Sequence, residues 1–201
     1  MSPSKSQAAQ WREVVRKHLD SFFGTPVTVF TPHDRCQPRV SVAEYPPRPE
    51  HPYWTYVTIG MSSKEQHIPN KAPDWLTPRV ELFCYVQQRA KWPVEVLNLL
   101  GRLPAEQKSY VFWWHTVDCG GPLDEKEDTT VSAMLLLPPY FEDEEFDKLE
   151  KDGTKVRFLF ALPVTEAERR MALARGGQSL EEMLLDENVD FVFDPLRPSV
   201  V

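Results

Sequence analysis

Apolar and polar positions alternate along the start of the chain at helical spacing. Trp11, Val14, Val15, His18, Leu19, Phe22 and Phe23 share one face, and Arg12, Glu13, Arg16, Lys17 and Asp20 fall between them. The spacing predicts an amphipathic helix over residues 6–23 that packs one face on a core and stops at Gly24 and Pro26. Short β-like runs follow at 27–30, 39–44 and 53–60, the second closed by the proline-rich stretch 45–52, which cannot sit in a central strand. Residues 80–86 read as a further apolar strand. Pro93 then opens a helix whose apolar face is Val94, Val96, Leu97, Leu99, Leu100 and Leu103. Residues 131–137 and 155–162 are nearly continuous apolar runs, the pattern of central strands covered on both faces. Two closing helices are predicted from capping boxes, Thr165 with Glu168 and Ser179 with Glu182, divided by Gly176-Gly177, with a last strand over 189–193. The order is not a strict βαβ alternation, so the expected fold class is α+β with a mixed β-sheet flanked by helices.

Length and composition add bounds to this picture. The chain has 201 residues, 41% hydrophobic and 26% charged, with 19 prolines against 8 glycines. These values fit one ordered domain with proline-punctuated loops, taken as residues 1–201 with 1–5 as a flexible tail. The longest apolar runs, 133–137 and 158–162, are far shorter than a membrane-spanning helix requires. The first seven residues lack an apolar signal core. Three dispersed cysteines fit a reducing compartment, so a cytoplasmic protein is expected.

Charge is unevenly placed. The net charge is -7, with +3 on residues 1–100 and -10 on residues 101–201. Much of the excess lies in 124–128 and in Glu142, Asp143, Glu144 and Glu145, continuing through Asp147, Glu150 and Asp152. This balance disfavours nucleic acid as a partner and would speed association with a basic protein. Acidic loops kept for solubility produce the same pattern.

Sequence signatures of chemistry are sparse. There is no glycine-rich phosphate loop, no Gly-x-Ser-x-Gly elbow and no His-Glu-x-x-His. His33 with Cys36 and His115 with Cys119 hold the right donors for tetrahedral zinc, but without the tight paired knuckles of structural zinc sites. Buried small-hydrophobe roles account for the cysteines equally well. Cys119 with His115 is also the one candidate nucleophile–base pair. Trp113-Trp114 suits either an interface or packing; on a strand the two rings would face opposite ways. No cofactor is indicated.

The order of segments resembles the suppressor-of-fused domain family in its bacterial, single-domain form. The resemblance runs through residues 53–62 (YWTYVTIGMS), 80–86 (VELFCYV), 91–97 (KWPVEVL), 114–117 (WHTV) with Pro122-Leu123-Asp124, 133–140 (AMLLLPPY), 158–168 (FLFALPVTEAE) and 193–199 (FDPLRPS). It covers about residues 20–200. It implies an α/β sandwich that binds another protein and catalyses nothing; bacterial members are thought to be immunity proteins of polymorphic toxin systems. In animal members an Asp that contacts the bound peptide precedes the histidine matching His115, and an animal tyrosine of the same grip aligns near Leu103. This chain has Trp114 at the first position, so that recognition chemistry does not carry over. The expected function is occlusion of a toxin's basic face, with Trp113, Trp114, His115, Glu142, Asp143, Glu144, Glu145 and Asp147 as partner-binding residues. The alternatives are a small zinc- or thiol-dependent enzyme using His115 and Cys119, or an orphan structural domain.

Overall fold

The computed structural model describes residues 7–32, 37–73, 75–124 and 129–201. The first amphipathic pattern forms α1 (Gln7–Phe23), which buries Trp11, Val15, Leu19 and Phe23. It ends on Gly24, whose φ of 80° lets its N–H donate to the Asp20 carbonyl at 3.0 Å, a left-handed cap that a Cβ would penalise.

Eight strands form a mixed sheet: β1 (Thr28–Phe30), β2 (Ser41–Tyr45), β3 (Trp54–Ile59), β4 (Val80–Val86), β5 (Thr116–Asp118), β6 (Val131–Leu137), β7 (Leu149–Lys151) and β8 (Thr154–Thr165). Their order is β1-β2-β3-β4-β8-β6-β5, with β7 hairpinned onto the start of β8. Among the described residues only β4 and β8 form a parallel ladder; the other ladders are antiparallel. Both near-continuous apolar runs lie inside this sheet, as their patterning predicts.

Alternation within β4 shows how the core divides. Val80, Leu82, Cys84 and Val86 pack toward α2 (Trp92–Gln107), while Phe83 and Tyr85 join the cluster under α1. That second cluster also takes Ala172 of α3 (Glu166–Arg175) and Leu180 and Leu184 of α4 (Gly177–Asp186). The α+β class with a mixed sheet flanked by helices is therefore what the chain adopts.

Three local expectations give way. Residues 189–193 are not a strand: Asn188 takes a left-handed φ of 53°, Asp190 accepts from the Val192 N–H, and only Phe193 bridges to Val86. Ser179 caps no helix, because α4 already begins at Gly177; its hydroxyl donates to the Arg175 carbonyl inside the helical turn. Trp113-Trp114 lies in a turn and not on the strand considered for the pair, since Trp114 sits at φ 65°. The Thr165–Glu168 capping box is present with both reciprocal bonds. β5 and β7 appear where acidic or turn-like residues masked their short alternation.

Candidate interaction site

β5 is the last strand of the sheet path and, among the described residues, leaves one side unpaired. The His115 carbonyl accepts from Leu136, the Cys119 N–H donates to Ser132, and Val117 stands opposite Met134. Antiparallel alternation then turns the N–H and C=O groups of Thr116 and Asp118 away from β6, toward the open edge. Beside this edge runs an open groove of about 650 Å³. It is walled by Leu103 and Gln107 of α2, by Tyr110, Trp114 and His115, and by Leu173 and Gly176 near α3. An unpaired edge flanked by a groove is the arrangement that accepts an extended segment as an added strand.

Two backbone devices build this site. Trp114 donates its N–H to the Leu136 carbonyl at 2.6 Å, and the His115 carbonyl accepts from Leu136 at 2.9 Å, so the left-handed turn is clipped onto β6 before β5 begins. Gly177 lies directly beneath: a Cβ there would stand 2.0 Å from the Trp114 carbonyl oxygen. The turn sends the two indoles apart. Trp113 packs with the α2-side cluster and stacks on Trp75 at 6.1 Å and 8°; Trp114 packs with the α1-side cluster. The opposite facing expected of the pair is thus real, but its cause is a left-handed residue and not strand alternation.

The Trp114 indole N–H donates to Glu181 Oε2 of α4 at 2.7 Å. The His115 ring packs against Tyr110 at 5.2 Å with the rings tilted by 59°, and burial lowers its pKa against a hydrogen bond to the Tyr110 backbone. Cys119 sits against the Val117 carbonyl, and burial, aided by Asp118, pushes its thiol up to about 12. A thiol held neutral in this way is a poor nucleophile. His33 and Cys36 lie outside the described residues. Among the described residues no three His, Cys, Asp or Glu side chains converge as a metal site would require.

The acidic group divides into two kinds of residue. Glu142 turns inward, its side chain 2% exposed, and accepts from the Tyr85 hydroxyl. Burial raises it to about 7, with Asp143 adding to the rise and Tyr85 and Arg48 opposing it. His51 lies 3.8 Å away, and burial lowers its pKa, with Arg48 adding to the fall. Asp147, 13% exposed, pairs with Arg157 at 2.5 Å and accepts from the Phe158 N–H. Asp143, Glu144 and Glu145 face solvent, and Lys148 neutralises part of the last two. Glu142 and Asp147 therefore fasten the loop after β6, and the three residues between them present its charge. The acidic stretch 125–128 lies outside the described residues.

Sequence reasoning passed over Thr116, Tyr140, Leu173 and Glu181. Tyr140 and Phe141 follow Pro138-Pro139 and stand 53% and 55% exposed, and burial together with Glu181 raises the Tyr140 phenol. Two exposed aromatics leading into an acidic run were a readable signal.

Comparison with known proteins places this geometry in context. The Suppressor of fused protein (SUFU) family matches residues 37–198. Over 75 residues, 37% of the chain, it is 32% identical to Immunity protein YqcF of Bacillus subtilis (strain 168); the aligned stretch spans 38% of that protein's length. The fold superposes on the crystal structure of a SUFU homologue from Neisseria gonorrhoeae with a TM-score of 0.76 and 22% identity, covering 96% of this chain and 97% of that one. It superposes on the Sufu-Fu complex structure with a TM-score of 0.67 and 16% identity, covering 94% of this chain and 91% of that one. At these identities the structural likeness establishes the fold. No helix among the described residues is long and apolar enough to cross a membrane.

Proposed function

This chain belongs to the Suppressor of fused protein (SUFU) family, and we propose that it is a non-enzymatic, protein-binding immunity protein that neutralises a toxin by covering its active face. The immunity role draws on the likeness to Immunity protein YqcF. The observation that carries the binding mode is the unpaired β5 edge with the groove beside it. An extended segment of the toxin adds to β5 through the outward groups of Thr116 and Asp118, and its alternate side chains enter the groove past Trp114 and His115. Trp113 supports this wall from behind. The exposed charges of Asp143, Glu144 and Glu145, on a loop held by Glu142 and Asp147, steer a basic toxin surface toward the edge.

Thr116→Pro tests this reading. Its N–H points away from β6, so proline removes an outward donor and leaves the β5–β6 ladder bonds in place. Tagged wild type and variant are used to capture partners from lysate of the encoding organism, and the captured protein is then expressed alone and together with each form. The expected result is growth arrest by the partner alone, rescue by wild type, and no rescue by a Thr116→Pro protein of unchanged melting temperature. A partner that does not arrest growth, or equal rescue by both forms, overturns the proposal.

A further inference from the structure

Tyr140 and Phe141 are large aromatic residues that the fold holds half in water, in the turn after β6. Each is nevertheless fixed from beneath. Tyr140 donates its hydroxyl to the Glu181 carboxylate of α4, and the same carboxylate accepts from the Trp114 indole. Phe141 meets Phe191 edge-on at 5.3 Å, and Phe191 lies parallel to Phe160 of β8. Leu185 stands one helical turn past Glu181 on the same side of α4 and is 52% exposed. Single apolar residues scattered on a surface need no explanation, but three where one turn meets one helix form a patch.

The rim of this patch is acidic. Asp143, Glu144 and Glu145 begin two residues beyond Phe141 and face solvent. Asp190, also exposed, precedes the Phe191 ring on which Phe141 rests, and exposed Asp186 and Glu187 follow Leu185. Lys148 offsets part of Glu144 and Glu145, and Arg48, near Glu142, gives its guanidinium to the Phe22 carbonyl. Apolar side chains ringed by negative charge favour one kind of occupant. A second copy of this chain would set like charges against each other across a two-fold axis. An anionic bilayer would be repelled by the same rim. A segment with an apolar face and flanking Lys or Arg satisfies both the rings and the rim.

We propose that Tyr140, Phe141 and Leu185 form a docking surface for a cationic, amphipathic segment of a protein partner, whose apolar side chains seat on the patch. That this segment belongs to the protein that adds to β5 rests on the function proposed above; the chemistry of the surface does not. Glu181 joins the two regions, since it holds the Trp114 indole just before β5 and Tyr140 at the patch. The rim charges speed association, and the apolar contact sets the rate of release. Because both rings are held in place before binding, little side-chain freedom is lost when they are covered.

The test needs no natural partner. The probe is a fluorescein-labelled synthetic peptide of leucine and lysine in amphipathic helical order, compared with a peptide of the same composition in scrambled order. Binding to the full chain is read by fluorescence anisotropy at low and at high salt. The expected result is saturable binding of the amphipathic peptide, about tenfold or more tighter than the scrambled one, and weakened but not abolished by high salt. Phe141→Ala and Leu185→Ser should each lower affinity about fivefold or more. Leu185→Ser is a surface change on α4, so it keeps the test decisive even where Phe141→Ala loosens the turn against Phe191. Making Asp143, Glu144 and Glu145 amides should slow association and leave dissociation nearly unchanged. No saturable binding, equal binding of the scrambled peptide, or an affinity indifferent to both Phe141→Ala and Leu185→Ser would each overturn the surface. So would dimers in sedimentation that Leu185→Ser dissolves, since they assign the patch to a second copy. Thr116→Pro should bind the peptide normally, so failure of strand addition and failure of the docking surface give different results.

Discussion

Trp114 is the residue on which the candidate site turns. A left-handed φ of 65° is unfavourable for a bulky side chain, and persists only where surrounding contacts over-determine it. Here the two clips to Leu136, the indole bond to Glu181 and the packing of Gly177 against the Trp114 carbonyl provide those contacts. Gly177 is needed for close approach and not for an unusual φ. Gly177→Ala places a methyl carbon 2.0 Å from backbone oxygen, a clash no rotamer change relieves. Destabilisation of more than about 2 kcal/mol is expected in urea unfolding, with the groove losing its shape even where the protein remains folded. Gly176→Ala is the informative control: its φ of 98° strains an alanine but its Cβ meets no atom within 4 Å, so its effect should come from φ strain alone, with Trp114 undisturbed.

At the scale of elements, the helix start at Thr165 shows a local signal and a tertiary bond reinforcing each other. Thr165 accepts from the Glu168 N–H, Glu168 accepts from the Thr165 N–H, and the same Glu168 binds Arg197 and the Val200 N–H. The capping box thus fastens the last residues of the chain as well as α3. Thr165→Ala should cost about 1 kcal/mol by the lost cap. Protease sensitivity of residues after Asp194 should rise in parallel; an unchanged unfolding midpoint would mean that Glu168 alone holds both elements. This box was legible because its two residues lie three apart. So were β4, β6 and β8, whose apolar runs exceed what an exposed strand tolerates. The β7–β8 hairpin also carried a signal, since Asp152-Gly153, at φ 52° and 73°, is the dipeptide that a tight two-residue turn favours, but it lay within a charge run. Ser179 and Glu182 match the capping spacing equally well and fail, because the helix starts where Gly177 meets Trp114, a contact 63 positions apart in the chain. The site divides in the same way. Trp114 and His115 stand out in an aromatic cluster, whereas Glu181 and Tyr140 acquire meaning only when α4 and the loop after β6 converge on that turn.

For the whole molecule, the loop after β6 ties the net charge of -7 to the pH dependence of folding through Glu142. Exposed Asp143, Glu144 and Glu145 repel one another on a loop whose inward anchor is a buried carboxyl group bonded to Tyr85. Burial raises Glu142 from 4.5 to about 7, so the unfolded chain releases this proton at lower pH than the folded one. Its contribution to stability is therefore full below about 4.5 and is lost as pH rises to about 7, after which it stays flat. The half-buried histidines act in the opposite sense. Burial lowers His18, His51 and His115, so each favours folding as pH rises toward 6.5. The wild-type profile alone mixes these slopes, and Glu142→Gln separates them, because glutamine keeps an acceptor for Tyr85 and cannot ionise. Relative to wild type, the variant should gain stability between about pH 4.5 and pH 7, by up to about 3 kcal/mol at one pK unit per 1.36 kcal/mol. Urea unfolding of both proteins across that range measures the difference. A constant difference would show that Glu142 titrates alike in the folded and unfolded chains, and that the acidic loop is held by Asp147 and packing alone.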